Sequence, residues 1–226
     1  MRSITLLSLF SFLLCYYSIF FTFETTLASA KCLEDQQSLL LQFKNNLTFV
    51  PKSTTCCNWR GVTCDSKGYV IGLDLTEEYI NGRFDNSNSL FSLQYLQRLY
   101  LAYNNFNSSI PSAFNKLEKL TDLDLSNNEF VGQIPKEISQ LTRLVNLYLS
   151  NCKFYGTLPN SISNLTRLEH LDLSDNYLSG SIPSSLFTLP SLEEIYLTSN
   201  QFSKFDEFIN VSSSVLKYLD LSRNNI

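Results

Sequence analysis

The chain has 226 residues, a formal net charge of −4 and 17% charged residues. So few cations on a mildly acidic chain offer no basic patch to track a phosphate backbone, which excludes a nucleic-acid footprint. With 44% hydrophobic residues, the length is ample for a sizeable core.

In chain order, residues 1–30 differ in kind from the rest. Arg2 is followed by an apolar run from Leu6 to Phe23 and then by Ala28-Ser29-Ala30. This reads as a secretory signal peptide cleaved after Ala30, in preference to a membrane anchor, because a small-residue site and a cysteine-rich segment follow. No later run reaches the roughly 20 apolar residues of a membrane span, so no anchor is expected after the signal.

Residues 31–68 are expected to form an N-terminal cap. The run from Leu33 to Phe43 opens with Glu34 and Asp35 and has apolar spacing that predicts an amphipathic helix laid over the open end of a core. Cys32 and the segment Cys56-Cys57-Asn58-Trp59-Arg60-Gly61-Val62-Thr63-Cys64 place four cysteines in an exported stretch, where disulfides are expected. Adjacent cysteines rarely bond each other. The choice lies between Cys32–Cys56 with Cys57–Cys64 and the crossed arrangement, and the uncrossed pairing is preferred. The spacing lacks the paired C-x2-C of zinc sites, so no metal is assigned.

From residue 69 to 226 one pattern returns. Leu99, Leu123, Leu147, Leu171, Ile195 and Leu219 stand 24 apart, and columns from Leu96 to Leu216 and from Leu101 to Leu221 keep step with them. Asn104, Asn128, Asn176, Asn200 and Asn224 share the period, with Cys152 in the remaining place. Such a repeat cannot bury its apolar face alone, so the copies must stack. Each L-x-L predicts a short strand with its leucines inward and the intervening residue outward. A first, irregular copy at Leu73 and Leu75 makes seven strands, the last in a truncated copy. The asparagines are expected to form a ladder that bonds the turning backbone. In the sixth copy Lys204, Asp206 and Glu207 stand where Gly, Ile and Pro should recur, which puts a second strand there in doubt.

Cys32, the CCNWRGVTC segment and repeats such as LEKLTDLDLSNNEFVGQIP resemble the ectodomains of plant leucine-rich-repeat receptor-like proteins and receptor kinases. The stretches FSLQYLQRLYLAYNNFNSSIP and FVGQIP are most similar to the receptor-like proteins that confer verticillium wilt resistance. The resemblance implies an α/β leucine-rich-repeat solenoid with a parallel sheet on its concave face, a helical disulfide cap, and a second short strand at each GxIP. It also implies a superhelical twist. Full-length relatives continue through more repeats, a C-terminal cap, a membrane helix and a short tail, none of which is expected here.

Candidate sites follow from this frame. The outward column reads Asp74, Tyr100, Asp124, Tyr148, Asp172, Tyr196, Asp220, an unbroken alternation that separates like charges and invites phenol–carboxylate bonds. With the flanking Arg98, Asp122, Asn146, His170, Glu194 and Tyr218 it forms the candidate ligand-binding face, with tyrosines as low-entropy anchors. A cationic or sugar-bearing ligand suits its acidity. His170 alone reads as a solvated surface residue and Cys152 as a buried thiol. Asn46, Asn107, Asn164 and Asn210 head N-x-S/T sequons and are candidate glycosylation sites that leave the strand face bare.

No phosphate loop, metal cluster or catalytic triad pattern is present in the sequence, so neither an enzyme nor a cofactor is expected. The expected function is ligand recognition in pathogen perception, with an extracellular protein, peptide or glycan as ligand and a co-receptor kinase serving full-length relatives. The expected location is the apoplast, full-length relatives displaying these repeats outside the plasma membrane. The alternative is a soluble inhibitor of pathogen cell-wall enzymes, resembling polygalacturonase-inhibiting proteins.

Overall fold

A computed structural model describes residues 32–45, 55–206 and 215–226. The expected signal peptide, Glu207 and the sequon asparagines Asn46 and Asn210 lie outside the described residues. Among the described residues one α-helix, α1 (Glu34–Asn45), precedes fourteen strands. These are β1 (Val62–Cys64), β2 (Val70–Asp74), β3 (Asn81–Gly82), β4 (Arg98–Tyr100), β5 (Asn105–Phe106), β6 (Asp122–Asp124) and β7 (Val131–Gly132). They continue with β8 (Asn146–Tyr148), β9 (Lys153–Gly156), β10 (His170–Asp172), β11 (Tyr177–Ile182), β12 (Glu194–Tyr196), β13 (Gln201–Phe205) and β14 (Tyr218–Asp220).

The L-x-L strands line up as one sheet in the order β1-β2-β4-β6-β8-β10-β12-β14. From β2 onward each neighbour is parallel and in unshifted register, so Leu99 faces Leu123 and Leu123 faces Leu147. These inward leucines are fully buried. The sheet's first member, β1, is antiparallel to β2 and comes from the cap. No repeat motif marks it in the sequence.

Behind each strand the asparagine ladder closes the turn. Asn128 accepts from the Phe106 amide at 3.1 Å and donates through Nδ2 to the carbonyls of Leu101, Leu125 and Ser126. Asn104, Asn176, Asn200 and Asn224 repeat the arrangement. One amide thus serves a buried acceptor and donor set that a bend would leave unpaired. The residue just before it is left-handed in every copy, Tyr103, Asn127, Asn151, Asp175 and Ser199 having φ between 48° and 55°.

A phenylalanine spine runs alongside, with ring centroids of Phe106 and Phe130 5.7 Å apart and of Phe130 and Phe154 6.3 Å apart. The far side of four copies is a 3-10 turn entered through Pro111, Pro135, Pro159 or Pro183, as at Pro135 before Lys136–Gln140, while Asn88 opens the turn of the first. The proline's fixed φ suits that entry, and it has no amide proton to leave unbonded.

The second strands form a four-stranded sheet ordered β13-β11-β9-β7 and a separate pair, β3 with β5. The sixth copy corrects the sequence reading. β13 exists and pairs with β11 through a one-residue register shift after Gly180, so Phe205 falls opposite Ile182. Its ring lies 5.9 Å from that of Phe187 and packs half-buried against the core.

The cap is tied on by covalent and apolar contacts. Cys32 is bonded to Cys56 and Cys57 to Cys64, with Cα–Cα distances of 5.5 and 5.6 Å. The four sulfurs lie within 4.8 Å of one another, and paired in this way none is a thiolate able to ligate a metal. Phe43 of α1 stacks on Phe84 at 6.0 Å, and Phe84 continues onto Phe106 at 4.8 Å, so the helix closes the end of the spine. Among the described residues no helix is long and apolar enough to cross a membrane.

Candidate ligand-binding face

The parallel register sets the outward side chains in columns across the concave sheet. Asp74, Tyr100, Asp124, Tyr148, Asp172, Tyr196 and Asp220 are successive register partners, so the alternation read from the sequence is a column in space. At roughly 4.8 Å between strands, like residues recur about every 9.6 Å.

The aspartates in this column differ from the sequence expectation. They do not bond the neighbouring phenols. Asp124 Oδ1 accepts from the amide of Ser126 at 2.9 Å and from its hydroxyl at 2.7 Å, and Asp172 does the same with Ser174. Asp74 and Asp220 accept from the amides of Thr76 and Ser222. Each aspartate therefore braces the turn two residues on, an Asx-turn bond. The recurrent D-L-S and D-L-T triplets carried that signal.

The flanking column holds a side-chain network across four strands. Asp122 accepts from the Asn146 amide at 2.5 Å and, on its other oxygen, from Thr121 at 2.6 Å. Asn146 Oδ1 lies 2.7 Å from His170 Nδ1. Since that oxygen has no proton, His170 must carry its hydrogen on Nδ1, which leaves Nε2 directed at Glu194 Oε1, 4.0 Å away. Glu194 Oε2 accepts from the Tyr196 hydroxyl at 3.1 Å, and the Tyr196 ring packs on Tyr218 at 4.9 Å. His170 is thus a half-buried, bonded residue and not the freely solvated one expected from sequence. Thr121 joins the face as a residue that strand alternation alone did not single out.

Electrostatics keep the phenols neutral. Burial raises Tyr100 and Tyr148 above the ordinary phenol value, and the carboxylates of Asp122 beside Tyr100 and Asp124 beside Tyr148 push the same way. Partial desolvation and the bond to Glu194 raise Tyr196 likewise. Burial raises Asp124 above the usual carboxylate value, against the two Ser126 bonds that hold it down. Arg98 stands in register with Asp122 at the cap-proximal end of the column. The face can therefore offer rigid aromatic surface, hydroxyl donors and an excess of anionic acceptors.

A stacked array of in-register L-x-L strands with an amide ladder defines a leucine-rich-repeat solenoid. Residues 70–205 match the family described as "Leucine-rich repeat region", and residues 212–226 match "Leucine Rich repeat". Receptor-like protein 7 of Arabidopsis thaliana is 42% identical over 117 residues, covering 47% of this chain and 12% of that protein. Receptor-like protein Cf-9 of Solanum pimpinellifolium is 40% identical over 107 residues, covering 36% of this chain and 12% of that protein. The solved structure of PEPR1 with AtPEP1 superposes with a TM-score of 0.76 at 36% identity, over 85% of this chain and 28% of that one. The chain belongs to the leucine-rich repeat family, in the class of plant receptor-like protein ectodomains. It spans only about an eighth of the curated relatives' length.

Proposed function

We infer that this chain is part of an extracellular recognition module of a plant receptor-like protein and that its concave face binds a peptide ligand bearing cationic groups. The observation that carries this reading is the hydrogen-bonded line Asp122–Asn146–His170 with the Glu194–Tyr196 pair beside it. It fixes polar side chains across four strands before any ligand arrives, which lowers the entropy cost of binding. The surplus of carboxylates over Arg98 and His170 selects positive charge.

The kind of ligand draws support from the similar ectodomains. PEPR1 was solved with AtPEP1, and the Arabidopsis receptor kinase HAESA with the peptide hormone IDA and the co-receptor SERK1. A co-receptor kinase is accordingly part of this proposal. Pathogen perception is the biological setting favoured by the resemblance to wilt-resistance receptors. An extracellular location fits the two disulfides of the cap, which persist in oxidising compartments. Under this reading residues 1–30 are the leader, 31–68 the cap and 69–226 the repeats. Asn107 and Asn164 are exposed, as glycan acceptors must be, and the recognition module performs no chemistry of its own.

The test uses a chimera carrying these repeats ahead of a full-length relative's remaining ones. Tyr148→Ala, His170→Ala and Tyr196→Ala together should abolish the ligand-triggered response while expression stays normal. Asp172 is left intact because it braces a turn. An undiminished response places recognition elsewhere, and inhibition of a fungal polygalacturonase by the secreted chain favours the inhibitor reading instead.

A further inference from the structure

On the flank beside the ladder, away from the concave sheet, lies an open groove of about 950 Å³. Its lining runs from Glu77 in the first copy to Ser199 in the sixth. Five strand spacings of roughly 4.8 Å make that about 24 Å.

The groove's chemistry is unusual for a peptide site. No aliphatic side chain lines it; apart from the Cys152 sulfur, its apolar surface is the flat rings of Tyr79, Tyr103 and Tyr177. Those rings stand 79%, 55% and 54% exposed. Peptide anchors need concave apolar pockets, and flat exposed rings supply none. The ladder asparagines on the floor are consumed by backbone carbonyls, so they hold the floor rigid and offer little to a ligand.

The polar groups above the floor are set in place. Asn151 donates to Asn127 Oδ1 at 2.8 Å, and Asn127 donates to the Ser126 hydroxyl at 3.3 Å. These bonds fix both amides and still leave an acceptor on Asn151 and a donor on Asn127. Asp175 and Glu77 add carboxylate acceptors, and neither is ion-paired among the described residues. The groove's cation, Lys153, is paired with Glu129, so nothing there selects an anion.

Aromatic faces flanking an acceptor–donor row match one ligand chemistry. A neutral sugar ring presents a C–H face that packs on an aromatic ring and a rim of hydroxyls that both donate and accept. We propose that this flank groove binds a neutral oligosaccharide, its rings packed on Tyr103 and Tyr177 and its hydroxyls bonded by Asn127, Asn151 and Asp175. The site is separate from the concave face and does not depend on what that face recognises. A free wall-type glucan and the glycan of a neighbouring glycoprotein share this chemistry.

The experiment is titration calorimetry on the secreted, disulfide-bonded full chain. The probes are cellohexaose, a released mannose-rich N-glycan, hexagalacturonate and hexalysine. Cellohexaose or the N-glycan should bind, the stronger of the two identifying the source, and hexagalacturonate should not. Tyr177→Ala and Asp175→Asn, both exposed positions, should each weaken the sugar at least about tenfold, and Tyr148→Ala on the concave face should leave it unchanged. Tyr103→Phe keeps the ring and should retain binding, which separates packing from misfolding. No heat with either neutral sugar at millimolar concentration overturns the proposal. So does hexalysine binding that Asp175→Asn abolishes, because the groove is then a peptide site.

Discussion

Two ladders of side chains run along this solenoid at the same 24-residue period, and they behave differently. The inner one, from Asn104 to Asn224, bonds backbone to backbone across adjacent copies, and its members make nearly identical contacts. The outer one, from Arg98 to Tyr218, changes residue at every step and bonds side chain to side chain. A fixed backbone geometry admits one side chain of the right length with both a donor and an acceptor, so the inner ladder is monotonous. Side-chain partners can be exchanged for one another at little structural cost, so the outer ladder is free to carry specificity.

The difference is sharpest in what truncation costs. Asn176→Ala leaves the Phe154 amide and the Leu149 carbonyl without their partner, whereas the Leu173 and Ser174 carbonyls keep their bonds from Asn200 and from the Asn151 amide. Buried unsatisfied groups cost about 1–3 kcal/mol each, some of it recovered by relaxation, so urea unfolding should show a loss of about 2–4 kcal/mol. His170→Ala, on the outer ladder, should stay within about 1 kcal/mol of the parent. Equal losses would show that the face is structural and would undercut its role in recognition.

Much of this contrast was legible beforehand. Identical leucines and asparagines at a fixed period dictate stacking, strand direction and which residue of each L-x-L faces out, because alternation on a strand leaves no other choice. The antiparallel β1 was not legible, since it comes from the cap and pairs with β2 from Val62 to Cys64 without carrying any repeat motif of its own. β13 was doubted because its motif is missing, yet a one-residue register shift sets the half-buried Phe205 opposite Ile182, and apolar packing depends on volume and not on residue name. The turn-bracing aspartates were misassigned to the phenols because Asp and Tyr are neighbours in space, whereas a bond to the amide two residues on is shorter-ranged and closes a turn. The flank groove escaped notice because its lining comes from the left-handed turn positions, where no periodic apolar signal points.

Cys152 breaks the inner ladder and so tests it from the other direction. Its thiol reaches the Leu125 carbonyl at 3.5 Å, and burial pushes it up to about 12, so it stays protonated. Sulfur is a weak donor and acceptor, and the Phe130 amide meets it in place of the asparagine oxygen found in other copies. Cys152→Asn should therefore stabilise the chain, by about 1 kcal/mol on the scale of one net hydrogen bond. Differential scanning calorimetry at neutral pH reads this as a raised Tm. An unchanged or lowered Tm would mean that the fourth copy has adjusted its backbone to sulfur.

The smallest effect is expected where an outer-column residue has taken on inner work. Asp124 is held above its ordinary value by burial, so the folded state binds its proton more tightly than the unfolded chain does. Stability from this group is present in full at acidic pH, below the unfolded value. It declines as pH rises from there through the raised folded value, because ionising the folded carboxyl costs more than ionising the unfolded one. Asp124→Asn keeps an oxygen to accept from the Ser126 amide and hydroxyl and carries no charge at any pH. At neutral pH the variant should be at least as stable as the parent, by an amount within about 0.5 kcal/mol. That advantage should vanish when urea unfolding is repeated below the carboxylate range. A parent that gains on the variant as pH rises would mean that the Ser126 bonds outweigh burial, and Asp124 would then belong wholly with the turn-bracing groups.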